Sequence, residues 1–92
     1  MALTFEWDQT KEETNQAKHG ISFEEAATVF GDPLSITIPD PVHSESEHRF
    51  VLVGVSTRGR LLVVTHAQRR HNIRIIGARL TTRRERKSYE ED

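Results

Sequence analysis

Between residues 49 and 79 the chain passes through three strand-like segments set so close together that only one arrangement can join them. They read as residues 49–56, 60–67 and 72–79, each dense in Val, Ile and Leu. The links are Thr57-Arg58-Gly59 and Gln68-Arg69-Arg70-His71. A parallel crossover needs a dozen residues or more, so links this short force consecutive antiparallel hairpins. Everything else in the chain has to cover or extend that sheet. Simple alternation assigns its faces. Leu61, Val63 and Thr65 point one way, and Arg60, Leu62, Val64 and His66 the other. Ile73, Ile75, Gly77 and Arg79 share one face of the third strand, and Asn72, Arg74, Ile76 and Ala78 the opposite one.

The cover comes from the N-terminal half. Residues 3–7 alternate apolar and polar, as a half-buried strand does. Asp8 is an N-cap for a helix over 9–18, and Gly20 suits the C′ position. Ser22 and Glu25 form a capping box for a second helix, which puts Phe23, Ala26, Ala27 and Phe30 on one stripe. Gly31-Asp32-Pro33 stops it. Residues 34–38, between Pro33 and Pro39, read as an edge strand. Residues 39–48 form a polar loop longer than an ordinary hairpin link. Thr81 or Thr82 caps a final polar helix. The expected fold class is α+β, in the order β-α-α-β-β-β-β-α. An antiparallel meander sheet carries the two N-terminal helices packed on one face. At 92 residues this is one domain, 1–92, with a modest core that a partner chain could complete.

The net charge of −1 conceals a division. Residues 1–47 hold ten acids and two bases, a net of −8; residues 48–92 hold eleven bases and four acids, a net of +7. Ten of those eleven bases are arginine, whose planar fork of donors suits phosphate and stays charged at any working pH. Such asymmetry points to an anionic ligand on one side. Ion pairing and solvated faces account equally well for any single arginine. With no cysteine there is neither a disulfide framework nor a thiolate metal site. The five histidines show no paired spacing of metal ligands, so no metal and no cofactor are expected. The N-terminus lacks the apolar core of a signal peptide, and no apolar run is long enough to span a bilayer, so a soluble, cytoplasmic protein with no membrane association is expected.

Nucleophile elbow, P-loop and dinucleotide fingerprint are all missing. Arginine, lysine and histidine without a metal leave one economical chemistry, RNA cleavage in which the substrate's own 2′-OH attacks the adjacent phosphate. The enzyme then supplies a base, cations for the phosphorane, and an acid for the leaving 5′-oxygen. His19, after Lys18 at a helix C-terminus, also fits a simple dipole interaction. His66, at a strand end, reads equally as a surface histidine.

The run FEWDQTKEETNQAKHGISFEEAATVFGDP resembles the start of the BrnT family of type II toxins. The resemblance lies in Trp7-Asp8, Lys11, Asn15, Lys18-His19-Gly20 and the stretch from Ser22 to Ala26. The C-terminal half is similar too, with Ala78-Arg79 closing a strand and an arginine-rich last helix ending in Tyr89-Glu90. The resemblance implies a RelE-like fold and a ribonuclease that inhibits translation. It also implies a cognate BrnA-like, DNA-binding antitoxin, through which alone the pair would reach operator DNA. On that footing Arg49, Arg79 and Arg83 are the expected phosphate and transition-state ligands. Lys18, His19 and His66 are candidates for the base or for RNA contacts, and Arg58, Arg60, Arg74 and Arg84 are further RNA-binding residues. The alternative is a non-catalytic nucleic-acid- or protein-binding module of the same fold.

Overall fold

The computed structural model describes residues 3–40 and 48–91; most of the polar loop read over 39–48 lies outside the described residues. Strand β1 (Thr4–Glu6) leads into α1 (Gln9–His19) and α2 (Phe23–Thr28), which ends in a 3-10 turn, Val29–Gly31. Strands β2 (Ile36–Pro39), β3 (Arg49–Val55), β4 (Leu61–Arg69) and β5 (Asn72–Leu80) follow, then α3 (Arg83–Glu91). The sheet order is β1-β5-β4-β3-β2.

Strands β2 to β5 form the antiparallel meander that the short links require. The sheet as a whole is nevertheless mixed, because β1 pairs parallel with β5, Phe5 lying beside Ile73. The helices carry the chain from β1 to the far edge at β2, and the meander returns β5 to run alongside β1. A second departure concerns β2, which starts at Ile36 and not at residue 34. Asp32 accepts the Leu34 N–H on its side chain at 2.9 Å and the Ser35 N–H on its carbonyl at 3.1 Å. That turn leaves Leu34 outside the ladder and exposed. Between β4 and β5 the loop is only Arg70-His71, with Arg70 at φ 55°, as a twisted two-residue hairpin demands.

The core lies between the helical layer and one sheet face. Ile21, Phe23, Ala26 and Val29 pack on Leu52, Leu62, Val64, Ile75 and Ala78. The expected stripe of Phe23, Ala26, Ala27 and Phe30 is thus shifted. The tighter 3-10 winding after Thr28 brings Val29 into line with Ala26, and Ala27 and Phe30 sit at the margin. Helix α1 buries no residue fully. Asn15 ties it down instead, donating to Ile21 O at 3.0 Å and Ala78 O at 2.9 Å, and accepting the Ala78 N–H at 3.1 Å.

One irregularity reorganises the sheet faces. Thr65 opposes Gly77 while His66 opposes Ile75, so Ile76 is an extra, unopposed residue in β5. Plain alternation put Ile75 with Arg79 and Arg74 with Ala78. The bulge instead turns Ile75 and Ala78 together into the core, and turns Arg74 to the same side as Arg79.

Gly54 of β3 is where the strand passes closest to the turn after α2. A Cβ there would lie 2.9 Å from Ser35 Cβ, 2.9 Å from Val29 Cγ1 and 3.0 Å from Asp32 Oδ2. Gly54→Ala should therefore destabilise the fold by about 1–3 kcal/mol, as overpacking does. Urea unfolding checks this: a lower midpoint at unchanged slope is expected, and a wild-type midpoint would show that the approach is not close.

Candidate functional site

Residues directly opposite in paired strands project to the same side. Arg49 opposes Ala67, Ala67 opposes Arg74, and Arg74 lies beside Glu6 of β1. Two residues along, Val51, Thr65 and Gly77 form the next row, and two further along come Val53, Val63 and Arg79. All three rows face away from α1 and α2. The bulge thus collects Arg49, Arg74 and Arg79 on the sheet face that the N-terminal helices leave uncovered. Arg69 joins them, opposite Asn72 and 3.9 Å from Glu6. The Arg49–Arg74 row and the Arg79 row are four residues apart on β4, about 13 Å by strand rise.

Helix α3 borders this face. Glu85, Ser88 and Tyr89 line a cleft of about 310 Å³ with Ile36, Ile38, Val51 and Val53, so the helix covers the β2–β3 side. Its start is held by Thr82, whose Oγ1 accepts the Glu85 N–H at 3.2 Å while Glu85 Oε1 accepts the Thr82 N–H at 2.8 Å. This is a capping box, Thr82-Arg83-Arg84-Glu85. The same carboxylate receives Arg79, whose Nη1 donates to Oε1 at 2.8 Å and Nη2 to Oε2 at 2.9 Å. These hydrogen bonds hold the Glu85 carboxyl at about 2, far below the usual range, and raise Arg79 further. Arg83 and Arg84 are exposed on the first turn of α3.

Other expected residues lie elsewhere. Lys18 and His19, with Lys11, Asn15 and Ile76, line a shallow groove of about 290 Å³ along the β5 edge. Arg60 is not poised for a ligand. It is the counter-ion of Glu25, a buried carboxylate of α2, donating Nε to Oε2 at 2.9 Å and Nη2 to Oε1. Ser56 Oγ donates to the same Oε2 at 2.8 Å. These bonds, Arg60's above all, lower the Glu25 pKa. Arg58 is exposed in the adjoining turn, 3.9 Å from Glu25. His66 is not on the surface either. It faces the helices, edge-on to Phe30 at 4.8 Å and stacked on Phe50 at 5.8 Å. Burial lowers its pKa, which keeps the ring neutral.

Sequence reasoning assigned no role to Glu85, and read Glu25 as part of a capping box and not as the partner of Arg60 and Ser56. The spacing in Thr82-Arg83-Arg84-Glu85 is the same capping signal that was legible in Ser22 and Glu25, so Glu85 could have been found. Among the described residues no group of three His, Cys, Asp or Glu is placed to hold a metal ion, and no helix is long and apolar enough to cross a membrane.

Residues 7–85 match the family described as the ribonuclease toxin, BrnT, of type II toxin–antitoxin systems. The chain belongs to the BrnT toxin family. The BrnT match runs from just after β1 into the first turn of α3. It therefore includes the arginine face and the Arg79–Glu85 pair. The fold is similar to the 1.1 Å crystal structure of the Brucella abortus ribonuclease toxin BrnT, with a TM-score of 0.69 over 89% of this chain and 100% of that one. Identity there is 19%, so this second likeness is one of fold. No curated protein matches the chain.

Because the folded Glu85 pKa is depressed, the unfolded chain takes up a proton first as pH falls. The stability due to this pair is complete above about 4.5 and is lost as pH falls toward about 2. Glu85→Gln should flatten the decline of the urea midpoint across that window. Parallel acid profiles for variant and wild type would show that the pair contributes nothing to stability.

Proposed function

We propose that this chain is a metal-independent endoribonuclease toxin of RelE-like fold, acting in the cytoplasm as a single domain. Its RNA substrate lies across the open sheet face, and the cleavage inhibits translation. The observation that carries this reading is the gathering of Arg49, Arg74 and Arg79 on one face, within the stretch that matches a family of ribonuclease toxins. Arginine provides the charge-assisted, geometrically fixed donors that a phosphorane needs, without a metal. In this scheme Arg49, Arg79 and Arg83 hold phosphate and the transition state, and Arg74, Arg84 and Arg58 steer the strand. Lys18 and His19, at the adjoining edge, are the candidates for proton transfer. The enclosed, neutral His66 is assigned to packing. A BrnA-like antitoxin, itself the DNA-binding partner, would cover the arginine face, with its acids or carbonyls in place of RNA phosphate.

The Arg79–Glu85 pair favours a second reading, in which the arginines serve ion pairing and the domain only binds. Expression of the toxin without its neighbour separates the two. Growth arrest with loss of RNA supports the enzyme, and harmless expression supports the binding module.

Arg79→Ala or Arg83→Ala should abolish growth arrest at equal expression and lower RNA cleavage by about a hundredfold or more, the loss typical of removing a transition-state donor. Wild-type arrest by both variants would overturn the assignment. Cleavage by the purified toxin should survive EDTA; its loss, with rescue by a divalent ion, would overturn metal independence. RNA and antitoxin should compete, and antitoxin association should slow as salt rises. Unhindered RNA binding by the intact complex would contradict a shared face.

A further inference from the structure

Arg79 has five N–H donors, and their use in the structure is lopsided. Nη1 gives one hydrogen to Glu85 Oε1 at 2.8 Å and is 3.2 Å from Leu80 O, which takes the other. Nη2 gives one hydrogen to Glu85 Oε2 at 2.9 Å. The remaining two donors, Nε–H and the second Nη2–H, lie side by side along the other edge of the guanidinium. They have no partner among the described residues. Two parallel N–H donors on one edge are the fork that binds carboxylate or phosphate bidentately. The side chain is 40% exposed on the open face, so this edge is accessible.

Glu85 is itself immobilised. Its backbone N–H and its Oε1 are both engaged by Thr82 at the start of α3. The clamp therefore ties the side chain at the end of β5 to a helix terminus and removes most of the rotamer freedom of a long, half-exposed arginine. Stability is only part of its effect, since ion pairs this exposed contribute modestly.

We propose that Glu85 is a positioning residue: it grips Arg79 by one edge of the guanidinium so that the opposite, two-donor edge is presented to an RNA phosphate. This rests on the reading of Arg79 as a phosphate ligand of the ribonuclease. It makes an acid essential at a site that binds an anion, which charge alone would oppose. Removing the carboxylate makes the face more positive and favours RNA binding, yet loosens the group that has to meet the transition state.

The test is single-turnover cleavage of a mixed-sequence RNA oligonucleotide by purified wild type, Glu85→Gln, Arg79→Ala, the double variant and Thr82→Ala. Glutamine is accepted at the fourth position of a capping box, so Glu85→Gln keeps the helix start and weakens only the clamp. Thr82→Ala does the reverse. The expected result for Glu85→Gln is a maximal rate about ten- to a hundredfold lower, the usual penalty for misplacing a catalytic group. The RNA concentration for half-maximal rate should be unchanged or lower. Arg79→Ala should lose at least as much, the double variant no more than Arg79→Ala, and Thr82→Ala little. Glu85→Gln cleaving at or above the wild-type rate, with Arg79→Ala inactive, overturns the clamp and leaves the ribonuclease reading standing. Wild-type cleavage by Arg79→Ala overturns the clamp and the reading of Arg79 as a phosphate ligand. A loss in Thr82→Ala equal to that in Glu85→Gln assigns the effect to α3 and overturns the positioning role.

Discussion

The unopposed residue Ile76 governs where every later side chain of the sheet points. Side chains alternate with a period of two, so one extra residue in β5 reverses the sense of everything on one side of it. Without the bulge, either Arg74 and Ile75 or Ala78 and Arg79 would exchange faces, each time putting an arginine into the core side and an apolar residue out of it. With it, the strand supplies apolar groups to the helical layer at Ile75 and Ala78 and cations to the other side at Arg74 and Arg79. A core and a basic face are thereby built from the same nine residues.

The two sides of the sheet are held by different physics. On the helical side, Ile21, Phe23, Ala26 and Val29 are fully buried, and the one carboxylate among them, Glu25, is matched by Arg60 and Ser56. Removing a single partner of such a buried pair strands a charge, which costs far more than the pair itself contributes. On the other side, α3 rests over Ile36, Ile38, Val51 and Val53 and is anchored at its ends. Glu85 binds Arg79 near its start, and the Tyr89 hydroxyl donates to Asp32 at 3.2 Å. A layer held by a few polar contacts opens at lower free energy than one held by a continuous core.

Much of this organisation was readable beforehand because it depends on local rules. The hairpins followed from link lengths, and the caps at Asp8, Gly20 and Ser22 followed from residue type and spacing; each is present. What escaped was non-local. Nothing in the sequence of β5 marks Ile76 as unpaired, since a bulge depends on how two strands register. The parallel partnership of β1 depends on where the meander ends. The assignment of Arg60 to Glu25 joins residues 35 apart, and the aromatic enclosure of His66 needs Phe30 and Phe50 from two other elements. The candidate arginines were identifiable as a class, but their sorting between structural and exposed positions required the register.

Asn15 has a bearing on how the molecule avoids its own kind. β1 shields β5 only as far as Arg74, so the rest of that border would offer unpaired amide and carbonyl groups to any extended chain. The Asn15 carboxamide occupies the Ala78 N–H and C=O together, doing with one side chain what a further strand would do. Among the described strands, that leaves the outer rims of β1 and β2 as the borders open to sheet extension. The rim of β1 is three residues long, and that of β2 is four residues long and ends in Pro39, which has no hydrogen to donate. A small protein rich in β-branched strands thus has little through which to polymerise edge to edge.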